Sequence, residues 1–199
     1  MKRKYGIMGG TFDPIHVGHL FIAEAARHEL ELDQVLFIPA GHPPHKGQVT
    51  PGEHRYQMTL LATASNPAFQ VSRIELDRAG FSYAYDTVRA LLSQLEPCEL
   101  FFIIGADALL EIHSWYRYAD LIELCQLATA TRPGFGLTDF LSAENFTPRE
   151  LERIHLLEVP PLAISSSDIR RRRREGRPIR YLVTDAVAAY IDENQLYLE

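Results

Sequence analysis

Two histidines and two glycines lie close together near the start of the chain. His16 and His19 are three residues apart, so their side chains share one face if a helix begins near His16. Gly18 stands between them and has no side chain that could block an approaching ligand. Gly9 and Gly10 precede the pair and let the main chain come close to an anion. Two imidazoles at such a turn could donate hydrogen bonds to a phosphate whose charge rises in a transition state.

The segments on either side of these residues predict a strand and a helix. Residues 5–8 form a short apolar run that ends at the glycines, which is typical of a buried strand. Residues 17–30 carry an apolar stripe at helical spacing, formed by Leu20, Ala23, Ala26 and Leu30. The free amides and positive end of a helix that starts here favour an anion. A capped helix with two surface histidines is the alternative, but the glycines, the turn and the histidines together favour a phosphate site.

A second candidate for phosphate binding is the string SSSDIR at residues 165–170. Hydroxyl groups at a helix start, the free amides of its first turn and the Arg170 guanidinium could together hold a polyphosphate. Ser165 with Asp168 is also a capping box, which is a purely structural alternative. The arginines at 170–174 fall on all sides of a helix, so we expect most of them in solvent and Arg170 facing the site.

The strongest strand pattern of the chain begins at Glu99 and continues as an apolar run over residues 100–104, followed by Gly105, Ala106 and Asp107. A continuous run of this kind is typical of a central parallel strand, and ligands bind beyond the carboxyl ends of such strands. Asp107 could accept hydrogen bonds from ribose hydroxyls, or it could cap the next helix. Trp115 and Tyr116 downstream could wall a ligand pocket or pack in the core.

Strands and helices alternate along the rest of the chain. This alternation predicts an α/β fold with a Rossmann-like, doubly wound parallel sheet, helices on both faces and a single domain over residues 1–199. Its C-terminal helical part is expected at about 165–199. The remaining predicted strands are 34–39, 69–76, 126–131 and 155–159; the remaining helices are 53–65, 87–95, 119–124, 147–153 and 184–193; and 135–147 is expected as a loop.

Two of these helices carry more specific expectations. In helix 53–65 the apolar stripe consists of Tyr56, Leu60, Leu61 and Ala64, and Arg55 lies off the stripe. An arginine in that position is expected to be solvated. Ser82 or Asp86 could cap helix 87–95, which is the structural alternative to a role in binding.

Composition limits the classes of function. The chain has 199 residues with 20 basic and 26 acidic side chains, a formal net charge of −6, which argues against a general nucleic-acid or acidic-membrane binder. Any polyanion must therefore meet a local positive cluster. Cys98 and Cys125 lack metal-binding or redox spacing, and we expect free thiols in a reducing compartment. No signal peptide or apolar run of membrane-spanning length is recognisable, so a cytoplasmic, soluble protein is expected.

Residues 9–19, GGTFDPIHVGH, resemble the GGTFDPxHxGH signature of the bacterial nicotinate mononucleotide adenylyltransferases, within the HxGH nucleotidyltransferase superfamily. The HxGH core by itself would indicate only the superfamily, whereas the longer string with further matches downstream resembles the family across almost the whole chain. The SSSDIR string is similar to the ISSxxIR motif that superfamily members use to hold ATP phosphates. The resemblance implies His16 and His19 as catalytic residues. It also implies that ATP is bound by Gly9, Gly10, Thr11, Phe12, Gly18, Gly105, Asp107, Ser166, Ser167 and Arg170.

Three further segments resemble the acceptor pocket of that family. They are PPHK at 43–46, GFSYAYDT at 80–87 and GAD with the downstream aromatic pair. Ala84 departs from the family pattern, which commonly has Thr there, so a preference for acid over amide based on that hydroxyl is not carried over. Backbone amides could serve instead. The implied acceptor-binding residues are His45, Lys46, Ser82, Tyr83, Ala84, Trp115, Tyr116 and Arg132.

The family resemblance implies adenylyl transfer from ATP to nicotinate mononucleotide, with Mg²⁺ bound with ATP. It implies deamido-NAD and pyrophosphate as products, within NAD biosynthesis, and no metal held by protein ligands. A related nucleotidyltransferase with another acceptor, such as phosphopantetheine, and a non-catalytic nucleotide-binding regulator are the alternatives. The sequence leaves the oligomeric state open, so a homo-oligomer remains one alternative.

Overall fold

The computed structural model describes residues 2–44, 47–131, 141–142, 144–160 and 162–199. Within these ranges, six strands form one parallel sheet in the spatial order β3-β2-β1-β4-β5-β6. The predicted doubly wound parallel sheet is thereby confirmed. The strands are β1 (Arg3–Gly10), β2 (Gln34–Pro39), β3 (Phe69–Val71), β4 (Cys98–Gly105), β5 (Gln126–Thr131) and β6 (Ile154–Glu158).

Helices cover both faces of the sheet. One face packs against α1, α2, α7 and α8, and the other against α3, α4 and α5. A 3₁₀ turn and the short helix α6 complete the secondary structure of the described ranges. The helical segments are α1 (Val17–Glu29), α2 (Gly52–Thr63), α3 (Ala84–Gln94), α4 (Ala106–Leu110), the 3₁₀ turn (Ile112–Ser114), α5 (Tyr118–Leu124), α6 (Pro148–Leu151), α7 (Ser166–Arg174) and α8 (Asp185–Glu193).

The alternation of side chains along each strand divides the core in two. In β4, Phe101 and Ile103 face the first group of helices, whereas Phe102 and Ile104 face the second. All four side chains are buried. Both faces of this strand are covered, which explains why its sequence is continuously apolar instead of alternating.

The chain order creates a crevice between β1 and β4. From β1 the chain proceeds outward to β2 and β3, and it then returns to the other side of β1 to build β4, β5 and β6. Connections therefore diverge at the carboxyl ends of β1 and β4, where Gly10 and Gly105 end their strands. This is the position where open α/β sheets bind ligands.

The predicted apolar stripe of α2 is wrong. The helix buries Arg55, Met58, Thr59, Ala62 and Thr63, whereas Leu61 is exposed. The buried stripe contains two threonines whose hydroxyls donate to main-chain carbonyls one turn earlier in the helix, at 2.7 and 2.9 Å. These hydroxyls can be buried because they are hydrogen-bonded within the helix. A prediction from apolar periodicity counts threonine as polar, so it placed both residues on the exposed face.

Three other boundaries differ from the prediction. β3 ends at Val71 instead of continuing to residue 76, and after Ser72 the chain turns away from this edge of the sheet. α3 begins at Ala84, and no side chain caps its start, so neither Ser82 nor Asp86 is its N-cap. Helix α6 stops at Leu151, although its predicted capping box of Thr147 and Glu150 is present. Most of the predicted 135–147 loop lies outside the described residues.

Candidate active site

The turn between β1 and α1, residues 11–16, is called the signature turn below. His16 ends it in an extended conformation as the N-cap of α1. Its main-chain N–H donates to Nδ1 of His19 at 3.2 Å, and the two imidazole rings stack with centroids 3.7 Å apart. A side-chain carbon at position 18 would come within 3.0 Å of the His16 ring, so Gly18 makes room for this pair.

Both imidazoles are neutral near pH 7. Burial lowers the pKa of His16 from its usual 6.5 to about 4. Burial and the neighbouring His16 lower the pKa of His19 to about 3. Because Nδ1 of His19 accepts a hydrogen bond, the proton of the neutral ring is on Nε2. Nδ1 of His16 is buried and has no hydrogen-bond partner within the described residues.

Phe12 supports the histidines from behind. It adopts a left-handed conformation, with φ of 50°, and its side chain is 2% exposed. The edge of its ring meets His19 at a centroid distance of 5.0 Å. Phe12 was expected to bind ATP, but it lines neither of the two cavities described next. Its ring packs against His19, and its predicted contact with ATP stays a prediction.

The histidines open into a cavity of about 710 Å³, called the histidine cavity below. It lies between the carboxyl ends of β1 and β4 and the start of α7. Asp107 is exposed within it, so it lies on the wall instead of in the core. The structure brings most of the sequence-predicted ATP set together on this one surface, which is lined by Gly9, His16, Gly18, His19, Gly105, Asp107, Ser166, Ser167 and Arg170.

The start of α7 closes this cavity and also holds the signature turn. Ser166 Oγ donates to the carbonyl oxygen of Pro14 at 2.8 Å, and Arg170 Nη1 donates to that of Asp13 at 2.5 Å. Ser165 is the N-cap, accepting from the amide of Asp168 at 3.2 Å. Ser166 and Arg170 therefore link two segments that are more than 150 positions apart in the chain.

A second cavity of about 490 Å³, called the aromatic cavity below, adjoins the first. Gly9, Phe102 and Trp115 line both cavities. Gly10 and Thr11, which are also in the predicted ATP set, line the aromatic cavity. Its other walls include five residues of the predicted acceptor set, namely Ser82, Tyr83, Ala84, Trp115 and Tyr116.

The sequence missed one residue in the wall of the aromatic cavity. Glu75 lines it and is 7% exposed, with Oε1 accepting from the hydroxyl of Thr87 at 2.6 Å. Burial raises the pKa of this carboxyl above its ordinary value. Ser82 lies in the same wall and accepts from the amides of Gly41 and His42, at 2.9 and 3.2 Å. The predicted strand 69–76 would have included Glu75, but the observed strand β3 ends at Val71, four residues before it. Glu75 therefore lies in a loop, where hydrophobic periodicity does not indicate burial.

Three predicted acceptor-binding residues, His45, Lys46 and Arg132, lie outside the described residues. Among the residues that are described, no group of three or more His, Cys, Asp and Glu side chains could hold a metal ion. No helix in the same part of the chain is both long and apolar enough to cross a membrane.

Comparison with known proteins identifies relatives along the whole chain. Residues 7–172 match the family model described as cytidylyltransferase-like. A protein of Moorella thermoacetica named probable nicotinate-nucleotide adenylyltransferase is 54% identical over 98% of this chain and 91% of its own. A protein of the same name from Clavibacter michiganensis subsp. michiganensis is 49% identical over 98% of this chain and 94% of its own.

Solved structures share the fold at much lower identity. The nicotinic acid mononucleotide adenylyltransferase of Plasmodium falciparum, complexed with NaAD, superposes with a TM-score of 0.81 at 19% sequence identity. The superposition covers 98% of this chain and 97% of that one. The two chains thus share the same fold.

Proposed function

Because this chain belongs to the cytidylyltransferase-like family and, within it, to the nicotinate-nucleotide adenylyltransferases, we propose that it transfers the adenylyl group of ATP to nicotinate mononucleotide. The observation that carries the proposal is the pair of adjoining cavities, which share Gly9, Phe102 and Trp115. Two substrates that react with each other must meet at such a boundary. The histidine cavity suits ATP, and the aromatic cavity suits the pyridine nucleotide.

The proposed reaction is an in-line displacement. An oxygen of the mononucleotide phosphate attacks the α-phosphorus of ATP, a bond forms there, and the bond to the bridging oxygen of pyrophosphate breaks. The products are deamido-NAD and pyrophosphate. The nucleophile is already an anion, so no general base is needed, and catalysis rests on positioning and stabilisation of charge.

We propose that His16 and His19 donate to the phosphates of ATP as negative charge moves to the leaving group. The tautomer of His19 supports this role, since its Nε2–H is free to donate when Nδ1 accepts from the main chain. Arg170, Ser166 and Ser167 would hold the remaining phosphate oxygens at the start of α7. Neutral donors inside a partly buried cavity are already oriented before the reaction begins.

Mg²⁺ bound with ATP is part of the proposal. The described walls of the histidine cavity offer mainly donors, with Asp107 as a carboxylate, so the phosphate oxygens of ATP would themselves carry the ion. When bound, Mg²⁺ neutralises charge on the leaving pyrophosphate.

The test is pyrophosphate release from ATP and Mg²⁺, with nicotinate mononucleotide, nicotinamide mononucleotide and phosphopantetheine offered separately. We expect release with nicotinate mononucleotide to be fastest. His19→Ala should lose on the order of 10²–10³ in turnover, as removal of one donor to developing charge does elsewhere. Fastest release with phosphopantetheine, or nucleotide binding without release from any acceptor, would contradict the proposal.

A further inference from the structure

The largest side chain that is fully buried in the described part of the chain is charged. Arg55 of α2 is 1% exposed, although an arginine in this position was expected in solvent. Burying a guanidinium costs several kcal/mol unless its N–H groups are satisfied, as a rough guide. Burial also lowers the pKa of Arg55, with the charge of Asp13 acting in the opposite direction. The free-energy cost of burying Arg55 must therefore be offset by its hydrogen bonds.

The guanidinium of Arg55 joins three separate segments through their main-chain carbonyls. Nε donates to Thr50 at 2.8 Å, Nη1 to Thr11 at 2.7 Å, and Nη2 makes a longer contact with Gly41 at 3.4 Å. Thr50 precedes α2, Thr11 belongs to the signature turn, and Gly41 follows β2. The rigid fork of an arginine can span three acceptors at once, which the point charge of a lysine cannot do.

Two of the carbonyls that accept from Arg55, those of Thr11 and Gly41, belong to peptide units next to the proposed site. The Thr11 peptide leads into Phe12, whose left-handed conformation sets the ring that packs against His19. Thr11 itself lines the aromatic cavity. A non-glycine residue in this conformation costs of the order of 1–3 kcal/mol and persists only where its surroundings hold it. Arg55 supplies part of that support from below the turn.

The second peptide unit is held from both sides. The carbonyl of Gly41 accepts from Arg55, and the N–H of the same peptide, on His42, donates to Ser82 in the wall of the aromatic cavity. A side-chain carbon at position 41 would lie 2.2 Å from the carbonyl oxygen of Glu75, so this crossing is tightly packed. Arg55 thus connects the signature turn to the cavity wall on the far side.

From these contacts we infer that Arg55 is a positioning residue for the acceptor nucleotide, an inference that rests on the proposed function. It touches neither cavity, and it acts through Thr11 and the Gly41 peptide. Loss of the guanidinium should move one wall of the aromatic cavity and loosen the support of His19. The start of α7, where most ATP phosphate contacts are proposed, should be unaffected.

The experiment compares wild type with Arg55→Met, Arg55→Lys and Ala62→Gly. Ala62 is buried on the same helix and lines neither cavity, so its replacement by glycine weakens α2 by about 1 kcal/mol without touching the carbonyls. Far-UV circular dichroism establishes which variants are folded, and steady-state kinetics give kcat and both Michaelis constants.

We expect Arg55→Met to lose about 10²-fold in kcat/KM for nicotinate mononucleotide, since displacement of a positioning group by about 1 Å costs that much. The KM for ATP should change by less than about threefold. Arg55→Lys should fall between wild type and Arg55→Met, and it carries the test alone if Arg55→Met does not fold. Ala62→Gly should keep wild-type kinetics.

Two results would overturn the role of Arg55. One is a folded Arg55→Met or Arg55→Lys protein with unchanged acceptor kinetics. The other is an equal loss in Ala62→Gly, which would show that any weakening of α2 has the same effect. Wild-type protein that shows no turnover with nicotinate mononucleotide would instead contradict the proposed function, so the two failures are distinguishable.

Discussion

At the scale of single residues, one main-chain amide decides which nitrogen of a catalytic candidate carries a proton. The N–H of His16 occupies Nδ1 of His19, and the stacked partner ring keeps both imidazoles in one orientation. Burial then keeps both rings neutral. The resulting donors need no reorientation when charge develops, which is the physical basis of the roles proposed for them.

The low pKa of His16 predicts a pH-dependent contribution to stability. Between its folded pKa of about 4 and the ordinary value of 6.5, the unfolded chain binds a proton that the folded chain does not. Acid in that window therefore favours unfolding. From pH 7 to pH 5 the free energy of unfolding should fall by on the order of 2 kcal/mol more in wild type than in His16→Gln.

Urea unfolding at the two pH values measures this difference. His28→Gln, which replaces an exposed histidine at the end of the same helix, is the control and should behave as wild type does. An identical loss in wild type and His16→Gln would mean that His16 is not held neutral by burial.

Gly105 provides a second test at the residue scale. A side-chain carbon there would meet no protein atom within 4 Å, and its φ of −76° is open to any residue. Neither packing nor backbone conformation therefore requires glycine at this point of the histidine cavity. We expect Gly105→Ala to fold normally but to raise the KM for ATP by roughly tenfold, since a single extra methyl in a binding site costs about 1–3 kcal/mol.

Gly47→Ala is the matched control for this substitution. A side-chain carbon at position 47 also meets no protein atom within 4 Å, and the residue lines neither cavity. Its KM for ATP should equal that of wild type. If Gly105→Ala binds ATP as wild type does, the nucleotide does not pass close to this residue.

At the scale of elements, the signature turn depends on segments from the other end of the chain. Helix α7 contributes Ser166 and Arg170, as described above, and the C-terminal tail, residues 194–199, contributes Tyr197. The hydroxyl of Tyr197 donates to Oδ1 of Asp13 at 2.7 Å, across 184 positions of the chain. Burial and the adjacent Asp13 raise the pKa of this phenol, so it remains a donor.

Tyr197→Phe removes one donor from a buried carboxylate. The other oxygen of Asp13 keeps only a 3.3 Å contact with the amide of Thr50 within the described residues. Hydrogen bonds to charged groups contribute about 1.5–3 kcal/mol, so the free energy of unfolding should fall by about 2 kcal/mol in urea titrations. Tyr181→Phe, at a position that is 77% exposed, should be neutral. Equal stability of the two variants would show that the tail does not clamp the turn.

The arginine-rich helix only partly follows the prediction that most of its arginines lie in solvent: Arg171 and Arg174 are exposed, whereas the other three are half-buried. Asp168 pairs with Arg172 at 2.7 Å and also with Arg171, and Arg173 pairs with Asp192 at 2.8 Å. Exposed or half-buried pairs of this kind contribute little to stability. These pairs neutralise the charges of arginines that lie away from the site. Arg170 is the arginine of this helix that lines the histidine cavity.

At the scale of the whole molecule, the two halves of the core are parts of one structure. They lie on opposite faces of the same strands, so neither can be lost while the sheet remains. We therefore expect one cooperative unfolding transition, in which Trp115 fluorescence and far-UV circular dichroism give the same urea midpoint. Separate midpoints, or prior loss of residues 165–199, would contradict a single folding unit.

The strands that the sequence predicted well are those whose residue types alone indicate burial and strand ends. The runs that became β1, β2, β4 and β5 are apolar because both faces are buried, and each is ended by glycine, proline or polar residues. The histidine pair and its glycines could be identified because they are adjacent in the chain. The net charge of −6 predicted a local cluster of positive groups for any polyanion, but the described wall of the histidine cavity has Arg170 as its one permanent cation and otherwise offers neutral donors.

Only the tertiary structure decided which distant residues meet. Arg55, Tyr197 and Glu75 all carry polar groups, so hydrophobic periodicity predicts them in solvent. Arg55 and Glu75 are buried and Tyr197 is partly buried, because their partners come from other segments. These partners are the carbonyls of three loops for Arg55, the carboxylate of Asp13 for Tyr197, and the hydroxyl of Thr87 for Glu75. A buried polar group is stable only when such partners are in place, and their distance is set by the folded chain and not by spacing in the sequence.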